Sequence, residues 1–156
     1  MRAVIQRVLS ASVAVDGEVV SSIGPGLMVL VGVREGDTRD DMEWLANKVI
    51  KARLFESAEG KAWGASVAAA EKEVLFVSQF TLYGSFAKGN KPDLHNAMPP
   101  GPAKAMYEAF LQHVRDVVYP EGAHRIKDGV FGAMMQVSLV NDGPVTMVLD
   151  SNDRKG

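Results

Sequence analysis

The sequence contains no cysteine. That absence removes disulfides, thiolate nucleophiles and cysteine-based zinc sites together, and it fits a reducing compartment. No apolar run approaches the roughly 20 residues that a membrane-spanning helix needs. The opening stretch, Met1 to Arg7, does not read as a signal peptide, because Arg7 and Asp16 interrupt its apolar residues. Excess charge of one sign is also missing: 17 Lys and Arg against 19 Asp and Glu leave a formal net charge of −2. A protein that wraps duplex nucleic acid usually shows a large basic excess, so a nucleic-acid partner would have to be held by a local basic patch. The common catalytic signatures are absent as well. There is no G-x-S-x-G elbow, no Walker loop and no H-E-x-x-H. The expectation is a cytoplasmic protein with no membrane partner.

What is present is enough for one domain. A chain of 156 residues hides roughly 70% of its unfolded surface on folding. Hydrophobic residues make up 47% and charged residues 23%, so neither a metal nor a disulfide is needed to explain folding. The three histidines, His95, His113 and His124, stand at no metal-ligand spacing from one another. They read as surface or structural residues rather than as acid–base groups. The carboxylates are scattered, and no glycosidase pair is seen. No cofactor and no obligatory metal is expected.

The first third of the chain reads as strands. Ala3–Val8 is rich in β-branched residues, Ser12–Val15 alternates, and Asp16-Gly17 signals a hairpin into Val19–Ile23. Leu27–Val33 is apolar on both faces, which predicts a central strand. Asp37-Thr38 marks a helix start with Asp41 completing an approximate capping box. Met42, Leu45, Ala46, Val49 and Ile50 then supply one apolar helical face. Leu54-Phe55 is expected to begin another strand, and Glu59-Gly60-Lys61 to turn. Glu73–Leu82 is the clearest strand of the middle section, and it leads into a loop from Tyr83 to Pro102 of 20 residues. Loops of that length in compact domains are usually functional or disordered. A second amphipathic helix is expected with Ala103, Met106, Phe110, Val114 and Val117 on one face. Phe131–Val140 reads as a strand, Asn141-Asp142-Gly143-Pro144 as a tight turn, and Val145–Leu149 as the returning strand, with a frayed polar tail from Ser151 to Gly156. Hairpin-joined strands with two inserted helices predict an α+β fold: a mostly antiparallel, barrel-like sheet with two amphipathic helices, in a single domain over residues 1–150.

Two short segments are unusual. Ser78-Gln79-Phe80-Thr81 follows four apolar residues and alternates polar with apolar, so a strand would point Ser78 and Phe80 one way and Gln79 and Thr81 the other. It is either an ordinary amphipathic strand end or a set of polar groups and amides beside a long functional loop. Gly143-Pro144 opens a strand with a residue that cannot donate to the ladder. A tight X-Pro turn is also the place where a cis bond is commonest. A third segment, Lys88-Gly89-Asn90-Lys91-Pro92, reads as a solvated basic turn or as a phosphate contact.

With these segments in view, the sequence resembles the D-aminoacyl-tRNA deacylases, also called the D-tyrosyl-tRNA deacylase family. The resemblance runs from Ile5-Gln6-Arg7-Val8 to Gly143-Pro144-Val145-Thr146. The two hallmark motifs stand as Ser78-Gln79-Phe80-Thr81 and Asn141-Asp142-Gly143-Pro144-Val145-Thr146, and the Lys88–Pro92 segment and Phe131-Gly132 match too. Lys61-Ala62-Trp63 and Lys88–Pro92 give it a eukaryotic-like style. The resemblance implies hydrolysis of the ester between a D-amino acid and the 3′-terminal adenosine of tRNA. It implies a homodimer whose cis Gly143-Pro144 unit enters the partner's pocket and rejects L-aminoacyl-tRNA by clash. Achiral glycine would escape that filter, so glycyl-tRNA is a further expected substrate. Ser78, Gln79, Phe80 and Thr81 carry over as pocket floor and catalytic strand, Phe131 and Met135 as neighbours of the terminal adenosine, and Ala97 as a loop position shaping the pocket. The match is looser at Leu94-His95-Asn96, where many relatives carry Phe-His-Leu.

Two mechanisms fit these residues. Thr81 could attack the ester and form an acyl-enzyme, although no base stands near it in sequence. Alternatively a water attacks, amides around Phe80 and Thr81 stabilise the oxyanion, and the substrate's 2′-hydroxyl assists. The second is favoured, because an ester is activated enough for positioning and oxyanion donors to suffice. The rival functions are another aminoacyl-ester hydrolase on the same scaffold and a non-catalytic module that associates with DNA.

Overall fold

The computed structural model describes residues 1–155. It is built on a six-stranded mixed sheet: β1 (Arg2–Val15), β2 (Glu18–Ile23), β3 (Gly26–Gly32), β4 (Glu73–Ser78), β5 (Ile126–Asp128) and β6 (Gln136–Asp150). Antiparallel pairs join β1 to β2, β3 and β6, while β3–β4 and β4–β5 run parallel. The sheet curls: the turn after β2 reaches β4, where the Gly24 amide donates to Glu73 Oε1 at 3.0 Å. The α+β, barrel-like expectation is met.

The two short strands expected at the start are one strand. The first half of β1 pairs with β3, from Arg2 opposite Gly32 to Val8 opposite Gly26, and the second half pairs with β2. A strand that changes partner midway needs no turn, although exposed Leu9 and Ser10 break the hydrophobic pattern there. Asp16 and Gly17 both take positive φ, +51° and +80°, and close the β1–β2 hairpin as expected.

β3 and β4 are central, and both of their faces are buried. Leu27, Val29, Val74 and Phe76 face the main core, while Met28, Leu75 and Val77 face a second apolar cluster with Val8, Val13 and Ile23. Gly26 permits the close parallel approach, since a Cβ there would lie 1.9 Å from the Glu73 carbonyl oxygen. The main core is covered by α1 (Arg39–Lys51) and α2 (Pro100–His113). Helix α1 begins with the expected Thr38–Asp41 capping box, and Met42, Leu45, Ala46, Val49 and Ile50 are all buried. Phe110 of α2 meets Phe76 edge-on at 5.1 Å, an arrangement worth about 1 kcal/mol beyond burial.

Several local expectations are overturned. Leu54-Phe55 begins no strand, because the segment turns away after a single bridge from Phe55 to Ala65. The second helix buries Ala103, Tyr107, Phe110, Leu111 and Val114, but Val117 is exposed. The last turn, Val114–Val118, widens into a π-helical turn closed by the Tyr119 amide on the Val114 carbonyl at 2.8 Å. The extra residue shifts the register and turns Tyr119 inward in place of Val117. The tail is docked through Ser151 and Arg154 rather than frayed, and its last residue, Gly156, lies outside the described residues. Ser151 is buried, its hydroxyl accepts from the Met1 amino group at 2.6 Å, and that amino group also pairs with Asp37 Oδ2 at 2.9 Å. Arg154 reaches Asp40 at 2.7 Å and lies over the Trp44 ring.

Candidate active site

The parallel strands β3 and β4 end side by side. Ser78 stands opposite Val31, and the Gln79 amide makes one last bond to the Val31 carbonyl at 2.8 Å. The strand stops there rather than at Leu82. Gln79 (φ −144°, ψ 84°) bends the chain into a single 3₁₀ turn, Phe80–Tyr83. The alternation in Ser78-Gln79-Phe80-Thr81 therefore does not sort side chains onto two faces of a strand. A side chain on Gly32 would meet the Gln79 carbonyl and Leu82 at 3.0 Å, so the 3₁₀ turn packs directly on that glycine. Arg2 secures the turn from the other side. Its Nη1 donates to the Leu82 carbonyl at 2.9 Å, its Nε pairs with Asp150 at 2.8 Å, and its guanidinium lies over the Tyr83 ring.

Beside this turn lies a cavity of about 770 Å³. One wall is Ser78, Gln79 and Phe80, a second is the Leu94–Ala103 segment including Ala97, and a third is Phe131–Met135 with Val137. The structure thus brings together Ser78, Gln79, Phe80, Ala97, Phe131 and Met135 from three separated parts of the chain. The expectation that Phe131–Val140 is one strand fails: β6 begins at Gln136, and residues 131–135 turn back to form the cavity wall. Thr81 is exposed and stands outside the lining, but Gln79 Nε2 donates to its Oγ1 at 2.5 Å. The cavity is chiefly apolar, and among the described residues no group of three His, Asp or Glu could hold a metal ion.

Tyr107 is a member of this site that the sequence reading missed. It projects from α2 into the cavity wall, packs its ring 5.8 Å from Phe131 and donates its hydroxyl to Asp128. Burial, then the neighbouring Asp128 carboxylate, pushes the Tyr107 hydroxyl far above the ordinary tyrosine range. Burial also raises the Asp128 carboxyl, against the hydrogen bond from Tyr107. The available signal was helical spacing, since Tyr107 is four residues after Ala103 and three before Phe110. Arg2 carried no such signal.

Gly143 and Pro144 are not in this cavity. The segment is no hairpin turn: β6 runs on through it and pairs with β1 on both sides, with the register shifting where Val8 faces Asn141. The Gly143–Pro144 bond is cis, and both residues are exposed. Asn141 braces the segment by donating to the Arg7 carbonyl at 2.9 Å and the Val145 carbonyl at 3.0 Å. Arg7 lies alongside, with Nε 3.3 Å from Asp142 Oδ2 and Nη1 donating to the Leu54 carbonyl at 2.8 Å. Val137 is the last β6 residue to line the cavity. Six residues of strand put Gly143 roughly 20 Å further along it.

A family model described as "D-Tyr-tRNA(Tyr) deacylase" matches residues 4–150. The "D-aminoacyl-tRNA deacylase" of Yarrowia lipolytica is 51% identical over 99% of this chain and 100% of its own. The protein of that description from Opitutus terrae is 52% identical over 99% and 100%. A solved structure described as "c-Myc DNA Unwinding Element Binding Protein" superposes with a TM-score of 0.90 at 48% identity, covering 96% of this chain and 98% of that one.

Proposed function

The chain belongs to the D-Tyr-tRNA(Tyr) deacylase family, and from that premise we propose that it hydrolyses the ester joining a D-amino acid to the 3′-terminal adenosine of tRNA. The products are a free D-amino acid and a tRNA that can be charged again. One observation carries this reading beyond family membership: the Ser78–Phe80 and Phe131–Met135 segments, far apart in sequence, form walls of one cavity. The apolar walls suit an aminoacyl-adenosine end, and the reading places the protein in the cytoplasm with translation.

Water is the nucleophile in this proposal. The amides of Phe80 and Thr81 open a helical turn, where N–H groups have no acceptor within the helix. They are the candidate oxyanion donors as water adds to the ester carbonyl. The acyl C–O bond then breaks, and the 3′-hydroxyl leaves with a proton passed through the neighbouring 2′-hydroxyl. The environment of Thr81 supports this route over an acyl-enzyme. Its oxygen receives a hydrogen bond from an amide, which is a donor and not a base that could take the hydroxyl proton. Thr81→Ala should lose no more than several-fold in turnover; near-complete loss with substrate binding intact would favour the covalent route. A substrate ending in 2′-deoxyadenosine should be nearly inert, and retained activity on it would sink the assistance step.

Chiral selection is assigned to a neighbouring copy. Gly143-Pro144 is exposed and outside its own cavity, so any action of it on a cavity requires a partner. Exposed Val140, Met147 and Val148 on the same strand support an apolar contact between two copies. In a homodimer the Gly143 and Pro144 carbonyls would wall the partner's pocket against an L side chain, leaving glycyl-tRNA as an unfiltered substrate. Turnover of D-Tyr-tRNA against L-Tyr-tRNA tests the filter, and equal rates would refute it.

A second reading rests on the solved relative whose description names DNA binding. Electrophoretic shifts with duplex DNA and with tRNA distinguish it, and the deacylase reading expects the tRNA complex to be the tighter one.

A further inference from the structure

Resting on the deacylase reading, we propose that the hairpin Ser85–Asp93 docks the unpaired 3′ end of the tRNA, with Phe86 stacking on a base and Lys91 contacting a phosphate. The hairpin is a built element and not loose chain. Ser85 and Asp93 exchange two backbone bonds at 2.9 and 2.8 Å, and the Ala87 amide donates to Ser85 Oγ at 3.1 Å. Both of its roots stand at the cavity. One follows the Phe80–Tyr83 turn, the other leads to Leu94, and Phe80 and Leu94 both line the cavity. The roots also touch, since a Cβ on Gly84 would lie 3.3 Å from Leu94 Cδ2.

The side chains on this hairpin are those that single-stranded nucleic acid needs. Phe86 is 66% exposed, more than any other aromatic residue among the exposed large hydrophobics. It supports no part of the core. Lys88 pairs with Asp93, which His95 also engages. Among the described residues Lys91 has no carboxylate within ion-pair distance, although the chain as a whole is acidic. An exposed ring beside free positive charge is the pairing by which proteins hold unpaired strands, the ring taking a base and the lysine the backbone. A terminal adenosine placed in the cavity brings the preceding unpaired nucleotides past its rim, where the hairpin stands. The net charge of −2 argues against a broad electrostatic contact.

The experiment compares D-tyrosyl-tRNA with D-tyrosyl-adenosine, which ends before the hairpin. Phe86→Ala should raise KM for the tRNA about tenfold, the scale of one lost base stack, and leave D-tyrosyl-adenosine hydrolysis unchanged. Phe86→Trp should retain the tRNA KM, and Phe86→Leu should lose it like the alanine variant. Lys91→Gln should reduce the salt dependence of tRNA binding by about 0.7 in log–log slope, one phosphate on a single strand. An unchanged KM in Phe86→Ala, or a loss shared equally by both substrates, overturns the assignment. An unchanged salt slope in Lys91→Gln overturns the phosphate contact. A wild-type protein that cleaves neither substrate refutes the deacylase reading itself, which separates the two failures.

Discussion

The Tyr107 hydroxyl donates to Asp128 Oδ1 at 2.5 Å while its ring lies 5.8 Å from Phe131. One side chain from α2 thus ties the end of β5 to the cavity wall that follows it. Tyr107→Phe keeps the ring and removes the bond to a part-buried carboxylate. It should destabilise the protein by about 1–3 kcal/mol and raise KM several-fold with little change in kcat. Denaturant midpoints and steady-state kinetics check both parts.

Gln79 and Thr81 should act as a unit. Gln79→Ala frees the Thr81 hydroxyl from its amide donor and lets it rotate. The expected outcome is a several-fold fall in kcat/KM for each single variant. The double variant should lose much less than the product of the two, because contacting residues are not additive. Independent, fully multiplicative losses would show that the hydrogen bond has no role in turnover.

Gly143 should tolerate no side chain. Its φ is +126°, and a Cβ would lie 2.8 Å from Val145 Cγ2 and 3.2 Å from Arg7 Nη2. Gly143→Ala should cost about 1–3 kcal/mol of stability, read as a lowered melting temperature. A melting temperature equal to that of the wild type would mean that this backbone relaxes freely.

Acid should weaken the joint between the chain termini. Burial opposes ionisation of Asp41, but hydrogen bonds from the Thr38 amide, Ser151 and Thr38 hydroxyls outweigh it, and the carboxyl is lowered to about 2. The folded state therefore binds this proton less readily than the unfolded state. The stabilisation is complete above the ordinary value of 3.8 and disappears as pH falls toward 2. Allowing for solvent screening, the contribution is about 1 kcal/mol. Asp41→Asn should be less stable at pH 6, and the gap to the wild type should close by pH 2. A gap independent of pH would assign the loss to packing instead.

Much of the fold was legible because local rules and tertiary packing agreed. Thr38 and Asp41 marked a helix start, the period of Met42 to Ile50 marked its buried face, and the doubly apolar run after Gly26 marked a central strand. The site was legible chiefly through its motifs, whose residues outnumber the physical signals they carry. Pattern failed wherever a distant partner overruled the local signal. Asn-Asp-Gly-Pro is turn chemistry in isolation, yet β1 pairs with β6 on both sides of it and holds the chain in one direction. Ser78 to Leu82 alternates like a strand, but the ladder to β3 ends at Gln79 and Arg2 holds the next turn. The polar tail looked frayed because its residue types mark no element, and its distant partners are Met1, Asp40 and Asp41.

By itself the sequence determined the helices, the central strands, the absence of thiol chemistry and the two segments that matter most. The first three follow from short-range periodicity and residue type; the two segments stood out only as a strand end and an X-Pro turn, and their match to the family's motifs gave them weight. Only the tertiary structure decided that Ser78–Phe80 shares a cavity with Phe131–Met135, that Tyr107 braces it, and that Gly143-Pro144 lies outside it. Those relations depend on which strands pair and in what register, and register is settled by contacts between residues far apart in the chain.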